Sequence, residues 1–131
     1  MKYIYTAIIK KEAEDYYECS VPDLPGCVTS GYTLADAIDM ITDAASGWLV
    51  VNEDEGNDIP TPTAQTDIEA SPDDFKTLIQ IDTIAYRAAT DTRSVRKNVS
   101  LPAWMVAMAE KRKLNCSKIL QEAITEQLNA G

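Results

Sequence analysis

Between Val95 and Leu128 the sequence spells one short strand and two short helices, a unit too small to enclose a core by itself. Val99 and Leu101 share one face of the strand, and Arg96, Asn98 and Ser100 share the other. Pro102 ends the alternation and suits the first position of a helix over Pro102–Lys113, with Trp104, Val106, Met108 and Ala109 as its apolar contacts. Leu114 and Asn115 make a turn, and Asn115 suits the N-cap of a second helix, Cys116–Leu128. Ile119, Leu120, Ala123, Ile124 and Leu128 form the stripe that this helix must bury. A unit of about 35 residues needs a metal, a disulfide or a partner chain to be stable. The chain has no histidine, and this stretch holds one cysteine, Cys116. Pairing with a second copy is the remaining route, and two such strands across a two-fold axis make a ribbon.

The outer face of that ribbon has the chemistry of base recognition. Arg96, Asn98 and Ser100 offer the donors and acceptors that a two-stranded ribbon presents to base edges in the major groove. The triplet equally fits a solvated strand face. The start of the second helix, at Cys116, Ser117 and Lys118, exposes free amides of the kind that hold phosphate, and a plain cap would look the same.

A net charge of −9 looks wrong for a nucleic-acid binder until it is divided. Residues 1–94 hold 6 Lys and Arg against 18 Asp and Glu, and residues 95–131 hold 6 against 3, so the halves carry −12 and +3. The basic tail can approach phosphate, and the acidic front can attract and speed the capture of a basic partner. Cys19, Cys27 and Cys116 form no CxxC pair, so reduced and mostly packed thiols are expected, with no metal and no cofactor. The lack of histidine removes the usual general base for nucleophilic catalysis. No apolar run approaches membrane-spanning length and no leader follows Met1, so the expected location is the cytoplasm.

The front half spells β-β-β-α-β. Lys2–Lys10 is a strand with Tyr3, Tyr5, Ala7 and Ile9 on one face and Ile4, Thr6 and Ile8 on the other, both apolar enough to be covered. Lys11–Asp15 turns into a second strand, Tyr16–Val21. The segment Pro22-Asp23-Leu24-Pro25-Gly26-Cys27 forces turns, with Gly26 free to take a positive φ, before a third strand over Cys27–Ser30. Thr33 caps a helix with Asp36 three residues on, and Leu34, Ala37, Ile38, Ile41, Ala45, Trp48 and Leu49 mark its buried face. That helix ends over Asn52–Gly56. A polar loop, Gln65–Asp74, precedes a last strand at Thr77–Asp82, and residues 83–94 link the halves, with a short helix possible at Ile84–Ala89. The fold class is α+β: a small antiparallel sheet with one packed helix (1–82), a linker (83–94) and a strand–helix–helix tail (95–131).

Two resemblances cover nearly the whole chain. Val95–Leu128 resembles a ribbon-helix-helix DNA-binding module, through the strand–Leu-Pro–helix join and the Leu120-Gln121-Glu122-Ala123 segment. Residues 1–82 resemble the HicB antitoxin domain, through Tyr17-Glu18-Cys19-Ser20-Val21-Pro22-Asp23-Leu24-Pro25-Gly26-Cys27 and Thr33-Leu34-Ala35-Asp36-Ala37. The resemblance implies an antitoxin that occludes a small basic HicA-type mRNA-cleaving toxin and binds the operator of its own operon. It also implies a partial ribonuclease-H-like sheet, self-association into two or four copies, and base-reading positions at Arg96, Asn98 and Ser100. Lys97 departs from the usual inward apolar residue, which implies either a looser strand start or a side chain facing phosphate. Ser117 and Lys118 complete the expected DNA contacts.

A stand-alone regulator with a ligand-sensing or oligomerising front domain would carry the same tail. Nuclease activity would need carboxylates converging on metal ions. Asp36, Asp39 and Asp43 instead suit an outer helix face, and Glu53, Asp54 and Glu55 a frayed helix end, so no catalysis is expected.

Overall fold

Apolar alternation in the first strand sets the geometry of everything else in the front half. The computed structural model describes residues 1–130; Gly131, the last residue of the expected tail, lies outside them. Strand β1 (Lys2–Ala13) pairs antiparallel with β2 (Tyr16–Ser20) on one side and with β4 (Phe75–Asp82) on the other. Strand β3 (Val28–Gly31) continues from β2, which gives the order β3-β2-β1-β4. Helix α1 (Leu34–Asp54) crosses one face of this sheet.

Several boundaries differ from the sequence expectation, each for a pairing reason. β1 runs through the polar residues Lys11–Ala13 because their backbone groups find partners at Tyr17 and Tyr16, with a register slip between Lys11 and Ala13. β4 begins at Phe75 rather than Thr77 because Ile9 and Ile8 of β1 continue the ladder to Phe75 and Lys76. Local signals hold well. Thr33 accepts from the Asp36 amide at 3.0 Å while the Asp36 carboxylate accepts from the Tyr32 amide at 2.9 Å. Gly26 takes φ +80°, and Gly56 takes φ +71° just past the end of α1.

The core lies between α1 and the sheet. Tyr5, Ala7, Ile9, Cys19, Ile79 and Ile81 meet Ala37, Ile41, Ala45 and Leu49, all buried. Each fully buried Ile or Leu contributes about 1.5–3 kcal/mol. The alanines let the helix sit close, and the approach is tightest at Gly31, where an added Cβ would lie 2.5 Å from the Ala37 nitrogen.

The opposite face of the sheet is only half covered. Segment 65–74, which includes a short 3₁₀ turn at Gln65–Asp67, lies over the Ile8 end. There Lys76 Nζ donates to the Gln65 and Ile68 carbonyls at 3.0 and 3.1 Å, and Ile68 is buried. Ile4 and Leu78 remain exposed, contrary to the expectation of a strand covered on both faces.

The stretch expected to link the halves is divided. Thr83–Thr90 forms helix α2, which packs against α1, and Thr83 is wholly buried. Helices α3 (Ala103–Lys111) and α4 (Cys116–Ala130) follow. Pro102 is the residue before α3, with ψ 140°, rather than its first helical residue. From Asp91 to Pro102 the chain forms neither helix nor strand, and Val95 is 91% exposed. The strand expected at Val95–Leu101 is therefore absent from the single chain. Backbone amides and carbonyls form a strand only beside a neighbouring strand, and the neighbour that the sequence invokes is a second copy.

Candidate functional site

The expected base-reading residues, Arg96, Asn98 and Ser100, and their neighbour Lys97 are all exposed in the segment before α3. Ser117 and Lys118 are exposed in the first turn of α4, where the Lys118 amide donates to Asn115 Oδ1 at 3.0 Å. Asn115 thus caps α4 as its residue type suggests. What joins these two groups is apolar. Val99 and Leu101 line a groove of about 290 Å³ with Met105, Leu114, Ile119 and Leu120. Every large apolar side chain of α3 and α4 is exposed at more than a third of its surface, Trp104 at 63% and Ile124 at 48% among them. Two helices with such stripes do not stay uncovered in water.

On the front half, Asp39 and Asp43 project from the exposed side of α1, and Asp36 is engaged in its cap. Among the described residues no group of three or more acidic, Cys or His side chains is placed to hold a metal ion.

Glu53 behaves differently from the frayed, solvated residue expected at that position. Its Oε2 accepts from Tyr3 Oη at 2.8 Å and from Thr83 Oγ1 at 3.2 Å, and its Oε1 pairs with Arg87 at 3.2 Å. Arg87 also pairs with Asp54 at 2.8 Å. Burial lowers the pKa of the Arg87 guanidinium, but the hydrogen bonds to Asp54 and Glu53 outweigh it and hold the group above the ordinary arginine value. The cluster ties β1, α1 and α2 together at one end of the sheet. Nothing local in the sequence marks it; the one hint is that Arg87 is the sole cation between Lys76 and Arg93.

A family model described as the HicB-like antitoxin of bacterial toxin–antitoxin systems matches residues 5–124, from within β1 through α3 and into α4. The chain belongs to the HicB-like antitoxin family. The UPF0150 protein Ta0767 of Thermoplasma acidophilum is 36% identical over 61 residues, which are 47% of this chain and 88% of that protein. The antitoxin HicB of Burkholderia pseudomallei superimposes with a TM-score of 0.55 at 26% identity, over 98% of each chain. A chain of a toxin–antitoxin complex from Streptococcus pneumoniae gives 0.61 at 18% identity, over 97% of this chain and 99% of that one, and so shares the fold.

Membership in a non-enzymatic antitoxin family accords with the scattered carboxylates of this HicB-like chain. Cys19 and Cys27 are packed thiols whose pKa values are raised by burial, whereas Cys116 is exposed in the single chain. Among the described residues no helix is long and apolar enough to cross a membrane.

The Glu53 cluster gives this HicB-like fold an alkaline limit. Burial, then the hydrogen bond to Glu53 and its charge, push the Tyr3 phenol up to about 12 from an ordinary value of 10.0. A folded-state value above the unfolded one means that the folded chain holds the proton more tightly. Its contribution to stability is complete below pH 10 and is lost as the pH rises from about 10 to about 12. Melting temperature is expected to fall through that window, and Tyr3→Phe to flatten the fall. A wild-type melt indifferent to pH there would show that the Tyr3–Glu53 bond does not persist in solution.

Proposed function

We propose that this HicB-like antitoxin occludes a small basic HicA-type toxin with its acidic front domain and represses its own operon through a ribbon built from two tails. The observation that carries both halves is the family match, which continues through the tail to residue 124. The tail's uncovered apolar face supports the second half. Pairing two chains would bury Val99, Leu101, Ile119, Leu120 and Ile124, and would give Val95–Leu101 the neighbour that a strand requires. The assembly then contains an even number of chains.

In this reading the sheet keeps a partial ribonuclease-H-like topology without the metal chemistry, and the protein works in the cytoplasm. Arg96, Asn98 and Ser100 face the base edges, while Lys97 and the α4 start at Ser117 and Lys118 hold backbone phosphate. Occlusion of the toxin requires no chemistry from the antitoxin, only a surface of matching shape and opposite charge.

The tail assignments separate in a gel-shift assay with the full chain and DNA from upstream of its own gene. Asn98→Ala is expected to relax sequence preference and weaken operator binding by about 1–3 kcal/mol. Lys118→Ala is expected to weaken binding to all sequences and to lower the salt dependence. Two variants that both bind like wild type would remove the ribbon from the reading. The antitoxin half is tested by co-expression with a HicA-type toxin from the same genome: rescue of growth supports it, and unrelieved toxicity counts against it.

A further inference from the structure

Helix α1 carries five carboxylates and no lysine or arginine. The deficit is wider than the helix, since no Lys or Arg occurs between Lys11 and Lys76. Glu53 and Asp54 share the single charge of Arg87, and Asp36 is engaged in the helix cap. Asp39 and Asp43, one turn apart and exposed, are left without a cation in contact among the described residues.

Beside this acidic stripe runs a second apolar stripe that the core does not use. Met40, Ala44, Gly47 and Val51 follow one another at helical spacing, and Met40 and Val51 are 43% and 53% exposed. Across from them stand Cys27 and Val28, and Trp48 lies between the two in a shallow, open groove of about 430 Å³. The groove is preformed. The Trp48 indole donates to the Pro25 carbonyl at 3.0 Å, and the turn that supplies the far wall is closed by Val21 N to Cys27 O and Cys27 N to Leu24 O at 3.1 and 3.0 Å. Gly26, at φ +80°, permits that turn. Pre-organisation of this kind lowers the entropic cost of binding.

We infer that this groove and the adjacent Asp39–Asp43 stripe form the docking surface for the basic toxin. An amphipathic element of the toxin would lay apolar side chains between Val28 and Val51 and direct its Lys or Arg side chains to the two aspartates. Charge selects this occupant over a second copy, because two front domains docked through this face would each bring −12. The assignment builds on the antitoxin reading and adds the surface on which it operates.

The test measures binding of the full-length chain to a HicA-type toxin from the same genome, by calorimetry at two ionic strengths. Val51→Arg and the double change Asp39→Lys with Asp43→Lys are each expected to raise Kd by at least about tenfold. The double change should also flatten the salt dependence. Leu78→Arg, on the uncovered part of the opposite sheet face, should bind within about twofold of wild type. All these positions are solvent-exposed, so the folded state should tolerate the changes. Wild-type affinity in both groove variants, or loss confined to Leu78→Arg, overturns the docking surface and leaves the antitoxin reading standing. A wild-type chain that binds no such toxin overturns both. If Val51→Arg instead halves the oligomer in sedimentation and leaves toxin binding intact, the groove belongs to a second copy and the proposal fails.

Discussion

Leu120→Asp is expected to abolish operator binding while leaving the sheet domain folded. Leu120 lies in the groove shared by Val99, Leu101, Met105 and Ile119, and each of these side chains stays 38–53% exposed in the single chain. If two tails pair there, the substitution acts twice, once in each copy. Each copy loses a buried leucine, worth about 2–5 kcal/mol in a packed core. Each also introduces a carboxylate whose desolvation costs several kcal/mol without a cation nearby. A loss of at least about 4 kcal/mol corresponds to roughly a thousandfold in affinity. Gel shift of the full chain measures the loss of DNA binding, and sedimentation measures the loss of pairing through the tail. The front domain's melt should be unmoved, because α4 supplies nothing to its core. Operator binding retained within a few-fold would mean that the tail recognises DNA without the apolar pairing, and the ribbon would have to be abandoned.

The same physics explains which parts of this chain can be read from its sequence. The cap at Thr33 and Asp36, the turn at Gly26 and the cap at Asn115 depend on hydrogen bonds or backbone torsions within a few residues, so residue type alone announces them. The buried stripe of α1 is legible for a similar reason, since helical spacing puts Ala37, Ile41, Ala45 and Leu49 on one face whatever they meet. Strand ends are less legible. Phe75 and Lys76 join β4 because Ile9 and Ile8 are across from them, and nothing within their own segment says so. Val95–Leu101 is the extreme case. Its alternation is plain, yet its ladder would be written in another copy of the chain. The candidate DNA contacts stand or fall with that pairing, whereas the groove beside Val51 arises where a turn meets the far half of a helix, tied by a Trp48–Pro25 hydrogen bond that spans 23 residues. Alternation and helical spacing report faces; they do not report which two faces meet.

Glu53→Ala is expected to be the most damaging single change at a polar position of the front domain. The side chain is 15% exposed and serves three partners separated from it by 50, 30 and 34 residues, so its loss is felt in β1 and in α2 as well as in α1. Removing one partner of a fully buried pair costs about 3–5 kcal/mol. Here the damage is smaller, because Arg87 is about one-third exposed and keeps Asp54, and Thr83 Oγ1 keeps the Met1 carbonyl at 3.1 Å. Tyr3 loses its one strong acceptor among the described residues. A loss of about 2–3 kcal/mol follows, or a fall of roughly 10–20 °C in Tm for a domain of this size. Glu53→Gln should fall between the two, since an amide oxygen still accepts from Tyr3 but no longer pairs with the Arg87 charge. The Tyr3 phenol reports the change independently: its titration should move down from about 12 in both variants, further in the alanine. Operator binding below the melt should persist, because none of the expected DNA contacts touches this cluster. Wild-type Tm in Glu53→Ala would mean that the Met1 carbonyl and Asp54 are sufficient to hold α2 against the sheet.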